Sequence, residues 1–350
     1  MYRQFQSPGQ RHHYFWIVLA VISAMLLASC GSTPTAGAPT SITPRVNIPT
    51  LTPDSSATSA PTPTPTPAQV SRPTPRTVFL IMMENHNWSA IQHNPSAPYI
   101  NNVLLPMTSY TEQYYNPPGI HPSEPNYLWL EAGTNFGVFN DALPSANQQN
   151  TTLHLVTLLN KAGISWKSYQ ESISGTVCPL TYNGLYAPKH NPMVFFDDVT
   201  NTNDPSSAYC IAHVRPFSEL ATNLQHNTTA RYNFITPNSC NDMHDSCAPL
   251  NDAVKQGDTW LAQNLPAILN SQAYKNGGIV FITWDEGEGG DGPIGMIVLS
   301  RDAKGSGYTN TIHYTHSSTL RTLEEIFGVT PLLGDAKNAT DLSDLFKTFP

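Results

Sequence analysis

Two acidic clusters stand where long apolar runs stop. The run Thr77 to Met83 ends at Glu84-Asn85-His86-Asn87, and the run Ile279 to Trp284 ends at Asp285-Glu286, followed by Gly287, Gly289 and Gly290. A carboxylate beside an amide at the end of a buried strand supplies oxygen ligands for a hard divalent cation, or for a mixed site with nitrogen donors from elsewhere. Each cluster taken alone also reads as a solvated turn, because Asn and Gly favour turns on conformational grounds. A hydroxyl, that of Ser123, lies between prolines in His121-Pro122-Ser123-Glu124-Pro125-Asn126-Tyr127, just ahead of an apolar helix-compatible stretch. There it would face the free amides of a helix N-terminus, which favour an anion such as a phosphate or a serine alkoxide. From spacing alone the plainer role for Ser123 is a helix cap, with Asn126 as a turn residue. No Gly-x-Ser-x-Gly elbow and no P-loop surrounds this serine, so neither of those hydrolase mechanisms is supported.

These groups need elements to hold them. Thr77–Met83 and Ile279–Trp284 read as strands buried on both faces, with further strands at Ile164–Tyr169, Tyr232–Thr236 and Ile294–Leu299. Helical spacing is found at Pro98–Leu105, Tyr127–Ala132 (stopping at Gly133), Thr151–Lys161, Val254–Leu269 and His316–Phe327. Residues 170–214 read as an irregular excursion over the sheet. Strands alternating with helices imply an α/β fold, a mostly parallel central sheet with helices on both faces. Ligands in such folds gather at the carboxyl ends of the strands, so Glu84-Asn85 and Asp285-Glu286 are expected to share one site across two hundred residues of sequence.

The first 29 residues carry Arg3 and Arg11 ahead of an apolar run from Phe15 to Ala28, too short to span a bilayer comfortably and charged like a secretory signal. The run ends in Leu27-Ala28-Ser29-Cys30, which resembles a bacterial lipobox. The expectation is a signal peptide over 1–29 and a lipidated Cys30 tethering the chain to the outside of the bacterial cell membrane. Residues 30–76 are Pro, Thr, Ser and Ala with few large apolar side chains, a spacer that cannot bury a core. The folded domain is then 77–350. The net charge of −8 comes from 17 basic and 25 acidic residues, and removal of residues 1–29 takes away two basic residues and no acid. An acidic chain argues against nucleic acid as a partner. Four cysteines remain, Cys178, Cys210, Cys240 and Cys247. An even number in an exported chain suggests disulfides; three pairings are open, and short loops favour Cys240 with Cys247 and Cys178 with Cys210.

Four ordered segments carry a resemblance: Met83 to Asn87, His121 to Tyr127, Trp284 to Glu286, and His313 to Thr322. Their order and spacing resemble the phosphoesterase family of bacterial acid phosphatases and phospholipases C, which is similar in fold to alkaline phosphatase. The resemblance runs from about Val78 to Phe346. It implies that Glu84, Asn85, Asp285 and Glu286 bind a divalent metal, of unstated identity, that also contacts Ser123. It further implies that Ser123 attacks phosphorus and forms a phosphoserine, while Asn126 donates to a phosphoryl oxygen. His190, His244 and His316 match active-site histidines of the family, and His121 reads as packing beside the nucleophile turn. Larger phospholipase C members continue past Asp-Glu into an Asp-His-Val segment, whereas here Gly289-Gly290-Asp291-Gly292-Pro293 runs straight into the next strand, which favours a single metal. The implied activity is hydrolysis of a phosphate ester, acid phosphatase-like. A phospholipase C is the alternative enzyme, and an inactive surface lipoprotein binding a phosphorylated or glycan ligand is the alternative outside enzymes.

Overall fold

The computed structural model describes residues 76–349. The signal run, Cys30 and nearly all of the spacer lie outside the described residues. Among the described residues ten strands form, in chain order: β1 (Val78–Met83), β2 (Ser109–Thr111), β3 (Tyr114–Tyr115), β4 (Trp166–Gln170), β5 (Val214–Pro216), β6 (Tyr232–Thr236), β7 (Ile279–Trp284), β8 (Met296–Ser300), β9 (Tyr308–Asn310) and β10 (Tyr314–Thr315). Eight of them make one sheet in the order β5-β4-β6-β1-β7-β8-β2-β9, and β3 pairs with β10 beside it. Every strand of the large sheet runs the same way except β8, which pairs antiparallel with both β7 and β2. The chain between β7 and β8 is therefore a hairpin connection, while the other central strands are joined by crossovers.

β1, β6 and β7 are buried at every residue, which is why they appear in sequence as continuous apolar runs rather than alternating ones. The main helices are α1 (Ser123–Ala132), α2 (Leu155–Lys161), α3 (Ser218–His226), α4 (Ala253–Asn270) and α5 (His316–Phe327). α1, α2 and α5 pack together in one layer, and α3 packs with α4 in another. α1 stops at Gly133, whose left-handed backbone (φ 69°) lies so close to the 333–335 turn that a Cβ would sit 2.6 Å from Leu333 O. Both strands bearing the acid clusters, and α5, fall where periodicity predicts them.

Several boundaries differ from expectation. α1 begins at Ser123 instead of Tyr127, because Pro125 in the first turn is compatible with a helix start. The Pro98–Leu105 helix contains a wide π-helical stretch, Ile100–Leu104; the backbone amides of Ile100 and of Tyr99 just before it are taken by the Asp258 carboxylate of α4. The 170–214 excursion is pinned by the Cys178–Cys210 disulfide, and the loop after β6 by Cys240–Cys247, the pairing favoured by short loops.

Candidate active site

β1 and β7 are adjacent and in register, Met83 opposite Trp284, so the residues that follow them emerge side by side. Asn85 takes a left-handed backbone (φ 44°), which Asn tolerates, and its amide donates to Asp285 Oδ1 at 3.0 Å. The loop after β6, on the other side of β1, brings in a third acid. Glu84 N donates to Asp242 O at 2.8 Å, fixing Asp242 beside Glu84. Glu84, Asp242 and Asp285 are all fully buried.

Ser123 is the first residue of α1 and does not cap it; the N-cap position is Pro122, and no side chain caps this end. Its hydroxyl donates instead to Glu84 Oε2 at 3.2 Å. Tyr127, one turn on, donates to the other oxygen, Glu84 Oε1. The helix end offers fewer free amides than a generic one: Glu124 N is taken by Asp141 Oδ1 at 3.0 Å, and Pro125 has none. His190 stacks on the Tyr127 ring, with Nε2 3.3 Å from Glu84 Oε1 and Nδ1 3.2 Å from Asp242 Oδ2. His244 borders the cleft. One atom each from Glu84, His190 and His244 lie within 4.8 Å of one another, close enough to hold one ion.

The acids are in an environment that resists their charge. Burial, then the neighbouring Asp285 and Asp242, pushes the Glu84 carboxyl well above its ordinary range. Burial does the same to Asp242, and burial with the adjacent Glu286 raises Asp285 to about 7. Burial pushes His190 well below its usual value, with Lys189 and His244 adding to the effect. Several buried polar atoms have no hydrogen-bond partner: Asn85 Oδ1, Asp242 Oδ2, Asp285 Oδ2 and His190 Nε2. Polar atoms this deeply buried are ordinarily paired. Three massed carboxylates, an amide oxygen and a neutral imidazole nitrogen are donors that suit a divalent cation, whose charge would let the acids ionise. The residues present fit such an ion.

The remaining expected residues take other positions. Glu286 does not turn toward Glu84; its Oε2 accepts from His121 Nδ1 at 2.5 Å and Asn126 Nδ2 at 3.1 Å. His121, expected only to pack, bridges Glu286 and Asp291 (Nε2 to Oδ1, 2.7 Å), tying the glycine-rich loop to the turn that carries Ser123. Burial disfavours its charge, but hydrogen bonds to Asp291 and Glu286 outweigh that and raise its pKa. The Asn126 amide nitrogen is spent on Ile120 O (2.9 Å), Pro122 O (3.2 Å) and Glu286, so it braces the turn and has no donor directed outward. His316 is fully buried behind Asp285. Its Nε2–H donates to Asp285 O at 2.5 Å, and its Nδ1 accepts from the Tyr114 hydroxyl at 3.0 Å. Burial lowers its pKa to about 4, so the ring stays neutral and holds the Asp285 backbone. Asp242, Tyr127 and Lys189 are the neighbours that sequence reasoning did not assign.

Above this buried group opens a cleft of about 630 Å³, lined in part by Asn85, His121, His244 and Glu286. Asn85 and His244 reach the wall of this cleft, while Ser123 is buried beneath it and does not line it.

The Phosphoesterase family profile matches residues 96–330. A phosphatidylinositol-3-phosphatase of Mycobacterium tuberculosis (strain ATCC 25618 / H37Rv) is 32% identical over 278 residues, covering 78% of this chain and 84% of that protein. A probable acid phosphatase of Kluyveromyces lactis is 28% identical over 250 residues, covering 69% of this chain and 54% of its own length, so the chain spans about half of that yeast relative. A solved structure from Vibrio parahaemolyticus, a protein in the alkaline phosphatase superfamily, aligns with a TM-score of 0.51 at 10% identity over 78% of this chain and 72% of that one, a likeness of fold. By the family profile and the mycobacterial relative together, the chain belongs to the Phosphoesterase family.

Proposed function

We propose that the protein hydrolyses phosphate esters outside the cytoplasm, in the manner of an acid phosphatase, with Ser123 as nucleophile and a divalent metal ion held by Glu84, Asn85, Asp242 and Asp285, with His190 and His244 adjacent. The observation that carries this reading is the Ser123 hydroxyl facing Glu84 at 3.2 Å inside a cluster of unpartnered ligand atoms. A divalent ion bound there supplies a Lewis acid for a phosphoryl oxygen and for the serine oxygen.

The protein's own groups do the rest. Ser123 Oγ forms a bond to phosphorus in line with the departing alcohol, whose P–O bond breaks. The serine proton leaves along the existing hydrogen bond to Glu84 Oε2. The leaving alkoxide takes its proton from water at the mouth of the cleft, beside His244. Water then cleaves the phosphoserine. His316 and Asn126 act as positioning residues, the first on Asp285 and the second on Glu286. The export and anchoring of the chain through Cys30 belong to the same proposal, and their support is the apolar run and the Leu27–Cys30 segment. A phosphoinositide, the substrate class in the mycobacterial relative's name, falls within the esters proposed.

The test compares Ser123→Ala with wild type on p-nitrophenyl phosphate, before and after chelation. Turnover is expected to fall by a factor on the order of 10³ or more in the variant, with an unchanged melting temperature, and to be lost on chelation and restored by a divalent ion. Acid quenching of the wild type is expected to trap phosphate on Ser123. Equal rates for the two proteins would overturn the assignment.

A further inference from the structure

Lys189 stands in a short 3-10 turn, Pro188–His190, next to one of the cluster histidines. Its ammonium is 2.9 Å from Asp141 Oδ2 and 3.3 Å from His244 Nε2, and its side chain is only 14% exposed. The other oxygen of Asp141 accepts the amide of Glu124, the residue after the nucleophile. One carboxylate thus moors the ammonium and the start of α1 to each other. The position of the charge relative to Ser123 is set by two hydrogen bonds and not by a free four-carbon stem.

Lys189 is also isolated in sign. Glu84, Asp242, Glu286, Glu124 and Asp141 surround this region, and among the described residues no other lysine or arginine forms an ion pair with any of them. An ammonium has three N–H donors. Asp141 takes one and His244 a second, which leaves the third uncommitted. A phosphate monoester differs from a diester in the place where such a donor matters. It presents a further anionic oxygen where the diester carries an O-alkyl group, and above its second pKa, near 6, it bears two negative charges. In a region this acidic the second charge is the harder one to accommodate.

We infer that Lys189 is the specificity-determining residue that makes this site a phosphomonoesterase, by pairing its free N–H with the anionic oxygen a diester lacks. The inference rests on the proposed function and narrows its substrate class. A bidentate guanidinium is not required for this contact; a compact point charge serves one oxygen.

The metal-loaded protein is assayed at pH 8 with p-nitrophenyl phosphate and bis(p-nitrophenyl) phosphate, as wild type, Lys189→Met and Lys189→Arg. Lys189→Met keeps most of the stem and is expected to lose on the order of 100-fold in kcat/KM for the monoester, the size of one charge-assisted hydrogen bond, and less than about fivefold for the diester. Lys189→Arg keeps the charge and is expected to retain the monoester preference. Calorimetric titration with inorganic phosphate is expected to show affinity weakened about tenfold or more in Lys189→Met, a readout independent of turnover. Equal losses on both esters, or unchanged phosphate affinity, would overturn the role of Lys189 while leaving Ser123 chemistry intact. A wild type inactive on both esters would overturn the proposed function and this inference with it.

Discussion

His154 offers the clearest energetic test of the scaffold beneath Ser123. Its ring is fully buried, stacks on Phe196 at 3.8 Å between centroids, and is held between two acids: Nδ1 is 3.1 Å from Glu131 Oε1 and Nε2 is 2.9 Å from Asp198 Oδ1. Glu131 lies at the far end of α1 from Ser123 and also accepts Val156 N at 2.8 Å, so this network joins α1 to α2. Burial disfavours the imidazolium, but the hydrogen bonds and charges of Asp198 and Glu131 prevail and raise its pKa. Asp198 shifts the opposite way: burial pushes its pKa up, but hydrogen bonds from His154 and Thr157 prevail and lower it. Removing one partner of a buried ion pair costs about 3–5 kcal/mol, because the other charge is left uncompensated. His154→Leu is therefore expected to lower the melting temperature by roughly 6–10 °C for a domain of this size. A histidine with a raised folded pKa stabilises fully below the unfolded value of about 6.5 and loses that contribution as pH rises through the folded value. The lowered Asp198 stabilises above about 3.9 and loses its contribution as pH falls through its folded value. The stability gap between wild type and His154→Leu should thus be widest between about pH 4 and 6.5 and narrow on both sides. Adding Glu131→Gln and Asp198→Asn removes the stranded charges and should recover at least half of the loss. Chemical denaturation from pH 4 to 9 measures all of this. A gap that widens above pH 7, or a triple variant no better than the single one, would refute the argument.

Asp242→Asn keeps the shape of the loop after β6 but removes a buried anion beside Glu84; metal affinity by calorimetry and kcat/KM should each fall about 10–100-fold, and unchanged affinity would remove Asp242 from the site. The two disulfides close loops of different length, with sequence separations of 32 and 7. Chain entropy predicts that Cys178→Ala with Cys210→Ala costs roughly 3.5 kcal/mol and Cys240→Ala with Cys247→Ala roughly 2.5 kcal/mol, an order that urea denaturation can check.

The parts of the site carried by β1 and β7 were legible because a strand buried on both faces leaves an unbroken apolar run, and the polar residue that stops it marks the strand's carboxyl end. Glu84 and Asp285 could be placed together on that ground. Asp242 could not. It follows β6 after five further loop residues, and nothing in the sequence says that β6 lies against β1 rather than at the sheet's edge. The short strands β2, β5 and β9 were equally hidden, since three residues cannot display a period. Asn126 and His316 were expected to act on the substrate, yet the first spends its donor on the turn and on Glu286, and the second sits behind Asp285. Sequence spacing locates a residue along the chain; which way its ring or amide faces depends on tertiary partners such as Tyr114 and Ile120.

The single reversed strand bears on how such a site can change. Because β8 runs against β7, the loop carrying Glu286, the glycines and Asp291 leaves and returns to the sheet at neighbouring points. Its ends stay anchored whatever its length, and doubling it would cost only about 0.6 kcal/mol of closure entropy. Ser123, Glu84 and Asp242 arrive on other segments, and the loop reaches the turn that carries Ser123 only through Glu286 and Asp291, which bond His121 and Asn126. The stretch between Glu286 and Asp291 can therefore change in length and composition while those two anchors, and the turn they brace, are kept.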